Sequence, residues 1–294
     1  MKNDPIETAL AKVDEATSAE LAKFLSSKWS LVVAKAARVA GERHTSELMP
    51  QLIAAFDRTL AQPSTQDKGC AALTAIARAL VALDHDDPEL FRRGMKHCHM
   101  EATWGGRIDV AADLRSSCAM GLANTRDARR LRDLVELLAD PMWQARAGAA
   151  RAISAVGGEP AVLLLRYKIL TGDEHDDVQF ECFAGLIELE GAEAFPMIRE
   201  VGSEPAMLAL GASRRPDAIA VLKQLYGQTT DPRRLGCILM ALASSKADDA
   251  IEFILEQIRT APNSIAKLAT EAVSIHRSDP RIAQAIESAE MTRA

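Results

Sequence analysis

Apolar residues recur along this chain in short runs spaced for helices, and few stretches show the alternation of β-branched and aromatic residues that marks strands. The runs come in pairs. They predict helices over Ala19–Ser26 and Trp29–Gly41, then Ser46–Ala61 and Asp67–Leu83, broken between them at Gln62-Pro63-Ser64-Thr65. A third pair starts at Pro88, runs to about His99, crosses a loop at Met100–Arg107 and resumes from Asp109 to Asn124. Later pairs fall at Ala128–Leu138 with Pro141–Val156, Pro160–Leu170 with Asp176–Leu189, and Ala192–Val201 with Pro205–Ala212. The last two are Pro216–Gly227 with Pro232–Ser244 and Asp248–Thr260 with Ser264–His276. Several helix starts set an acceptor before a proline: Asp87-Pro88, Asp140-Pro141, Asp231-Pro232 and Ser203-Glu204-Pro205. The acceptor takes an orphan N–H of the first turn, and proline has no N–H to orphan. Each short pair carries an apolar face that it cannot bury alone, so its neighbours must supply the core.

One phrase repeats in the second helices. It reads Lys35-Ala36-Ala37-Arg38-Val39-Ala40-Gly41, then Ala75-Ile76-Ala77-Arg78-Ala79-Leu80, then Ala149-Ala150-Arg151-Ala152-Ile153. A helical phrase returning every 30–40 residues or so signals stacked helix pairs rather than one globular core. The expected fold is therefore all-α, a right-handed α-solenoid (an α-α superhelix) of about eight helix pairs. It is expected to run continuously over residues 1–294, with caps at 1–18 and 280–294.

The fullest copy of the repeat is Leu134-Val135-Glu136-Leu137-Leu138-Ala139-Asp140-Pro141-Met142-Trp143-Gln144-Ala145-Arg146-Ala147-Gly148-Ala149-Ala150-Arg151-Ala152-Ile153. An apolar helix, Asp-Pro, an arginine and an alanine-rich second helix in that order resemble the HEAT repeats in their short bacterial form, a type shared with the bilin lyases. Asp140 and Arg146 hold the Asp and Arg positions of that pattern, and Asp109 and Arg115 keep the same spacing. In the next pair Asp173 is followed by Gln179, and the arginine is lost. The resemblance implies that Asp109, Arg115, Asp140 and Arg146 form a structural ladder tying neighbouring repeats together. It covers most of the chain, is strongest over 127–191 and weakens beyond 192. It specifies architecture far better than function.

Enzymes occur among HEAT proteins. The deoxyhypusine hydroxylases bind iron through repeated His-Glu dipeptides. Here the six histidines precede Thr, Asp, Cys, Met, Asp and Arg, so that reading is put aside. The HEAT-like alkyl-purine DNA glycosylases use tryptophans and an aspartate on a basic concave face. This chain has Trp29, Trp104 and Trp143, with Asp109 and Asp113, but its net charge is −6. The bilin lyases carry similar repeats, yet no residue here implies a bilin. A HEAT-scaffold enzyme of either kind stays as the alternative to a binding protein.

Composition narrows this further. Hydrophobic residues make up 48% and aromatics only 4%, so the core must be built of Ala, Leu, Ile and Val, and the first two favour helices. The first 150 residues hold 20 basic and 20 acidic side chains and the remainder 15 and 21, so the acidic excess lies in the second half. Nucleic acid is a poor partner for such a chain. The densest basic run, Arg126, Arg129, Arg130 and Arg132, is interrupted by Asp127 and Asp133 and reads as a solvated helix face. The five cysteines include no CxxC pair and suit small buried hydrophobes in a reducing cytoplasm. Met1–Pro5 leads into a charged amphipathic segment rather than an apolar leader, and no apolar run is long enough for a membrane span.

No nucleophile elbow, phosphate loop or dinucleotide fingerprint occurs, so no catalytic residue is assigned, and no cofactor. Arg38, Arg78 and Arg151 occupy equivalent positions on second helices, with Met120 and Ala184 interrupting the series. A row of guanidinium groups along a concave face suits carboxylates or phosphates on a partner, and an acidic protein or peptide is the expected one. The same arginines could instead cover alanine-rich surface. Trp104 and Arg107 sit in the Met100–Arg107 loop beside two glycines, where Trp104 either projects as a binding anchor or folds back between repeats. Trp143 joins them as a binding candidate. His97, His99 and Glu101 suggest a metal site only if the helix ends before His99, because residues two apart on a helix do not share a face. No metal is therefore assigned. The expected function is a non-catalytic scaffold for a protein or peptide partner, with oligomeric state left open.

Overall fold

The computed structural model describes residues 4–293, so residues 1–3 and 294 of the expected caps lie outside it. The fold is all-α, with helices packed in neighbouring pairs. The chain divides into two compact units, residues 1–164 and 165–294.

The first unit runs through α1 (Pro5–Val13), α2 (Ser18–Leu25), α3 (Ser30–Glu42), α4 (Met49–Leu60), α5 (Ala71–Ala82) and α6 (Pro88–Met95). A two-stranded antiparallel hairpin follows, β1 (Met100–Thr103) and β2 (Gly106–Asp109), then α7 (Ala112–Asn124), α8 (Arg130–Leu137) and α9 (Trp143–Val156). The second helices pack in series, α3 on α5, α5 on α7 and α7 on α9, and each is backed by the helix before it. Their buried faces are rich in alanine, filled out by Val, Leu and Ile, with Phe56 and Phe91 fully buried behind them. Close approach is built in at Gly148 of α9, where an added Cβ would collide with the backbone and side chain of Ser116 on α7.

Around the hairpin the structure departs from the sequence reading at two boundaries. The helix expected to reach His99 ends at Met95. Lys96 N–H still makes an α-helical bond to Arg92 O at 3.2 Å, and the turn then tightens, with His97 N–H donating to Gly94 O at 3.2 Å. Beyond it Asp109 Oδ1 accepts from His99 N–H at 2.9 Å, and Val110 N–H donates to His99 O at 2.9 Å. The backbone at His99 therefore belongs to an extended pairing rather than a helix. The loop expected at Met100–Arg107 is the hairpin itself, with Thr103 paired to Gly106 across a Trp104-Gly105 turn.

The segment before α5 is also irregular. Gly69 (φ 67°) and Cys70 (φ 54°) are both left-handed, while the buried Asp67 carboxylate accepts from the N–H groups of Ala72 (2.8 Å) and Leu73 (3.1 Å). That capping satisfies two orphan N–H donors of the first turn of α5.

The helix α10 (Gly158–Thr171) contains the boundary between units. The second unit continues as α11 (Asp176–Glu190), α12 (Phe195–Val201), α13 (Glu204–Ala212), α14 (Pro216–Gly227), α15 (Pro232–Ser245), α16 (Asp248–Thr260), α17 (Asn263–Val273) and α18 (Pro280–Arg293). Here α11, α13, α15 and α17 pack in series. The backbone of α13 comes close to α15 at Gly211, where a Cβ would strike the Ala241 carbonyl. Asp231 caps α15 through Arg233 and Arg234 N–H, but Ser203 makes no such bond to α13. Among the described residues no helix is long and apolar enough to cross a membrane.

Candidate functional site

In the first unit α3 and α5 enclose an open groove of about 730 Å³. Its floor is small and apolar: Ala34 and Gly41 from α3, and Ala71, Ala75, Ala79 and Ala82 from α5. Gly41 lets the helices approach so closely that a Cβ there would lie 3.1 Å from Ala79 Cα. Polar side chains form the walls, with Lys35, Arg38, Glu42 and His44 on one side and Arg78 and Asp113 on the other.

The repeated arginines take distinct roles. Arg38 is engaged locally, 3.0 Å from Glu42 and 3.9 Å from Asp14. Lys35 donates to Asp14 at 2.6 Å and to Leu10 O at 2.8 Å, so α1 is pinned against α3. The hydrogen bond from Lys35 holds the Asp14 carboxyl below its ordinary pKa. Arg78 is exposed and reaches Ser117 Oγ on α7 at 3.3 Å, and no carboxylate among the described residues pairs with it. A smaller recess of about 260 Å³ continues past Arg78, lined by Ser116, Ser117, Met120, Gly148 and Arg151. Arg151 lies 3.4 Å from Ser116 Oγ. Arg78 thus belongs to both cavities, with Arg38 in the first and Arg151 in the second.

The remaining binding candidates lie elsewhere. Trp104 stands at the hairpin tip, 109% exposed relative to a reference residue, and does not fold back between helices. Arg107 is exposed on β2 and donates to Met100 O at 3.2 Å. Trp143 is the half-buried first residue of α9 and lines neither cavity. At its root the hairpin meets the groove edge, where Gly69 N–H donates to Glu101 Oε1 at 2.5 Å.

The Asp and Arg positions of the repeat are drawn together beneath the hairpin. Arg115 is buried, donating to Asp109 Oδ2 at 2.7 Å, to Asp140 Oδ1 at 2.9 Å and to His97 O at 3.0 Å. Its Nε lies 2.8 Å from Asp140 Oδ2 but off the hydrogen-bonding direction. Arg146 donates in turn to the backbone oxygens of Asp140 (2.9 Å) and Pro141 (3.2 Å). The pair α8 and α9 is thereby tied to α7 and the root of the hairpin. Burial works to raise the pKa of Asp109, but the N–H groups of His99 and Ala111 and the Arg115 guanidinium outweigh it and hold the carboxyl at about 2.

Sequence reasoning did not bring Cys70 to this place. Its sulfur lies with the ring nitrogens of His97 and His99 in one cluster, all within 4.8 Å of one another. The signal available was the H-x-H spacing, which brings two rings to one place once the helix has ended at Met95.

No family model matches the chain, and no curated protein matches it. Among solved structures, human deoxyhypusine hydroxylase in complex with glycerol is similar at 15% identity, over 94% of this chain and 92% of that one, with a TM-score of 0.29. A superposition that loose transfers neither residues nor activity.

Proposed function

We propose that this chain is a non-catalytic scaffold of the HEAT-repeat type, which holds a segment of a protein or peptide partner in the groove between α3 and α5. The observation that carries the reading is the groove's chemistry. A floor of alanines suits small or apolar side chains, and Arg78 offers a guanidinium with no carboxylate of its own among the described residues. A partner carboxylate beside such a segment would gain a charge-assisted bond there, and Arg151 extends the same surface through the adjoining recess. The free state of all five cysteines is in keeping with a reducing cytoplasm.

The test compares proteins retained from native cytoplasm by the wild-type chain and by the Arg38→Ala, Arg78→Ala, Arg151→Ala triple variant, both shown to be folded by circular dichroism. A partner that binds the wild type and is lost from the variant is the expected result. An identical set of partners on both would remove the arginine-lined groove as the recognition surface.

A further inference from the structure

We infer that Cys70, His97 and His99 form a binding site for a borderline-soft divalent metal ion, Zn²⁺ above all. The three side chains converge from two separate segments. Cys70 comes from the irregular turn before α5, and the histidines come from the connecting segment between α6 and β1. One donor atom from each lies within 4.8 Å of the others. Ligands around a tetrahedral zinc sit roughly 3.5 Å apart, given Zn–S near 2.3 Å and Zn–N near 2.0–2.1 Å. Closing the cluster needs a movement of about 1 Å, within reach of small side-chain rotations.

Three features argue for a ligand rather than core packing. First, His99 is 1% exposed, and its Nε2 is buried without a hydrogen-bond partner. It stands 3.4 Å from Glu101 Oε1, without hydrogen-bond geometry. A buried ring nitrogen left unmatched costs free energy that a metal bond would offset. Second, Cys70 holds a left-handed backbone (φ 54°), a conformation that costs a residue with a Cβ of order 1 kcal/mol or more. Asp67 fixes that turn through two N–H bonds, and the result aims a thiol at two imidazoles. Third, the surroundings favour a cation. Asp67, Glu101 and Asp109 lie around the cluster against the single guanidinium of Arg115.

A thiolate with two imidazoles is a donor set that suits Zn²⁺ and disfavours Mg²⁺ or Ca²⁺. On binding, the Cys70 proton leaves to solvent and the thiolate becomes a ligand. The two histidines bind as neutral imidazoles. Three protein ligands leave a fourth coordination position open. The ion would fasten the start of α5 to the root of the hairpin, where Gly69 N–H already meets Glu101. This site does not depend on what the groove holds.

The full chain, stripped by chelator in reducing buffer, is titrated with Co²⁺ and then Zn²⁺. The expected result is one Co²⁺ per chain, with a thiolate-to-cobalt charge-transfer band and the intense visible bands of a four-coordinate ion, all bleached by Zn²⁺. Cys70→Ser loses the charge-transfer band. His97→Ala, at a half-buried position, keeps its circular dichroism and binds at least roughly tenfold more weakly. Cys98→Ser, at the exposed neighbouring thiol, changes nothing. A wild-type chain with no cobalt spectrum would overturn the site. So would a charge-transfer band that survives Cys70→Ser or disappears with Cys98→Ser, or a His97→Ala chain that binds as tightly as wild type.

Discussion

Arg115 shows how one side chain can join segments that are far apart in the chain. It is 4% exposed and spans Asp109, Asp140 and the His97 carbonyl, so its removal leaves two carboxylates facing each other without a counter-charge. Breaking a buried pair in this way costs about 3 kcal/mol. Urea denaturation of Arg115→Ala should show a loss of that order, and a midpoint within error of wild type would mean that the network contributes nothing net. Arg92 plays a similar part on α6, 2.8 Å from Asp127, 2.6 Å from Asp133 and 2.7 Å from Glu89. The bond from Arg92, helped by Arg129 N–H, holds Asp127 below its ordinary pKa. A carboxyl depressed in the folded state adds stability above its unfolded value, near pH 4, and that stability drains away as pH falls further. Denaturation midpoints at pH 5 and pH 3 should therefore converge more in Arg92→Met than in wild type. Equal acid sensitivity in the two proteins would contradict the pairing.

At the scale of elements, the helices were legible because alanine, leucine and proline punctuate them. Asp87 and Asp231 do cap α6 and α15, each with proline following. Asp140 accepts from Met142 N–H at 2.8 Å, so its helix begins at Trp143 rather than at the proline. The segment from Lys96 to Val110 was not legible, because its conformation rests on pairing between residues up to ten or so apart, the Asp109 carboxylate among them. Asp109 accepts from His99 N–H, ten residues back, beyond the end of α6. Local pattern has no access to such a contact. The same blindness hid Cys70, whose neighbours His97 and His99 lie 27 and 29 residues away in the sequence. Helix spacing was also readable only in part: Gly148 looks like an ordinary small residue in an alanine run, yet it sets the distance between α7 and α9. Gly148→Ala should cost about 1–3 kcal/mol, because the new methyl meets Ser116 backbone that cannot swing aside. Differential scanning calorimetry decides this, and an unchanged or raised Tm would mean that the helices have slack.

For the molecule as a whole, the repeat explains why an acidic chain still presents guanidinium groups together. The arginine phrase recurs with the helix pairs, and serial packing of α3, α5, α7 and α9 converts that period into a row, with Met120 in the gap on α7. Arg78 stands where the two cavities of the first unit meet. The measurement that tests the account most directly places a photo-crosslinking side chain on the groove floor at Ala75, and in a second protein at exposed Gln51 on α4. Each is irradiated with native cytoplasm, with and without Arg78→Glu. The account predicts a discrete crosslinked partner from Ala75 that disappears with Arg78→Glu and never forms from Gln51. The same partner captured from both positions, or captured from Ala75 regardless of the charge at position 78, would contradict it.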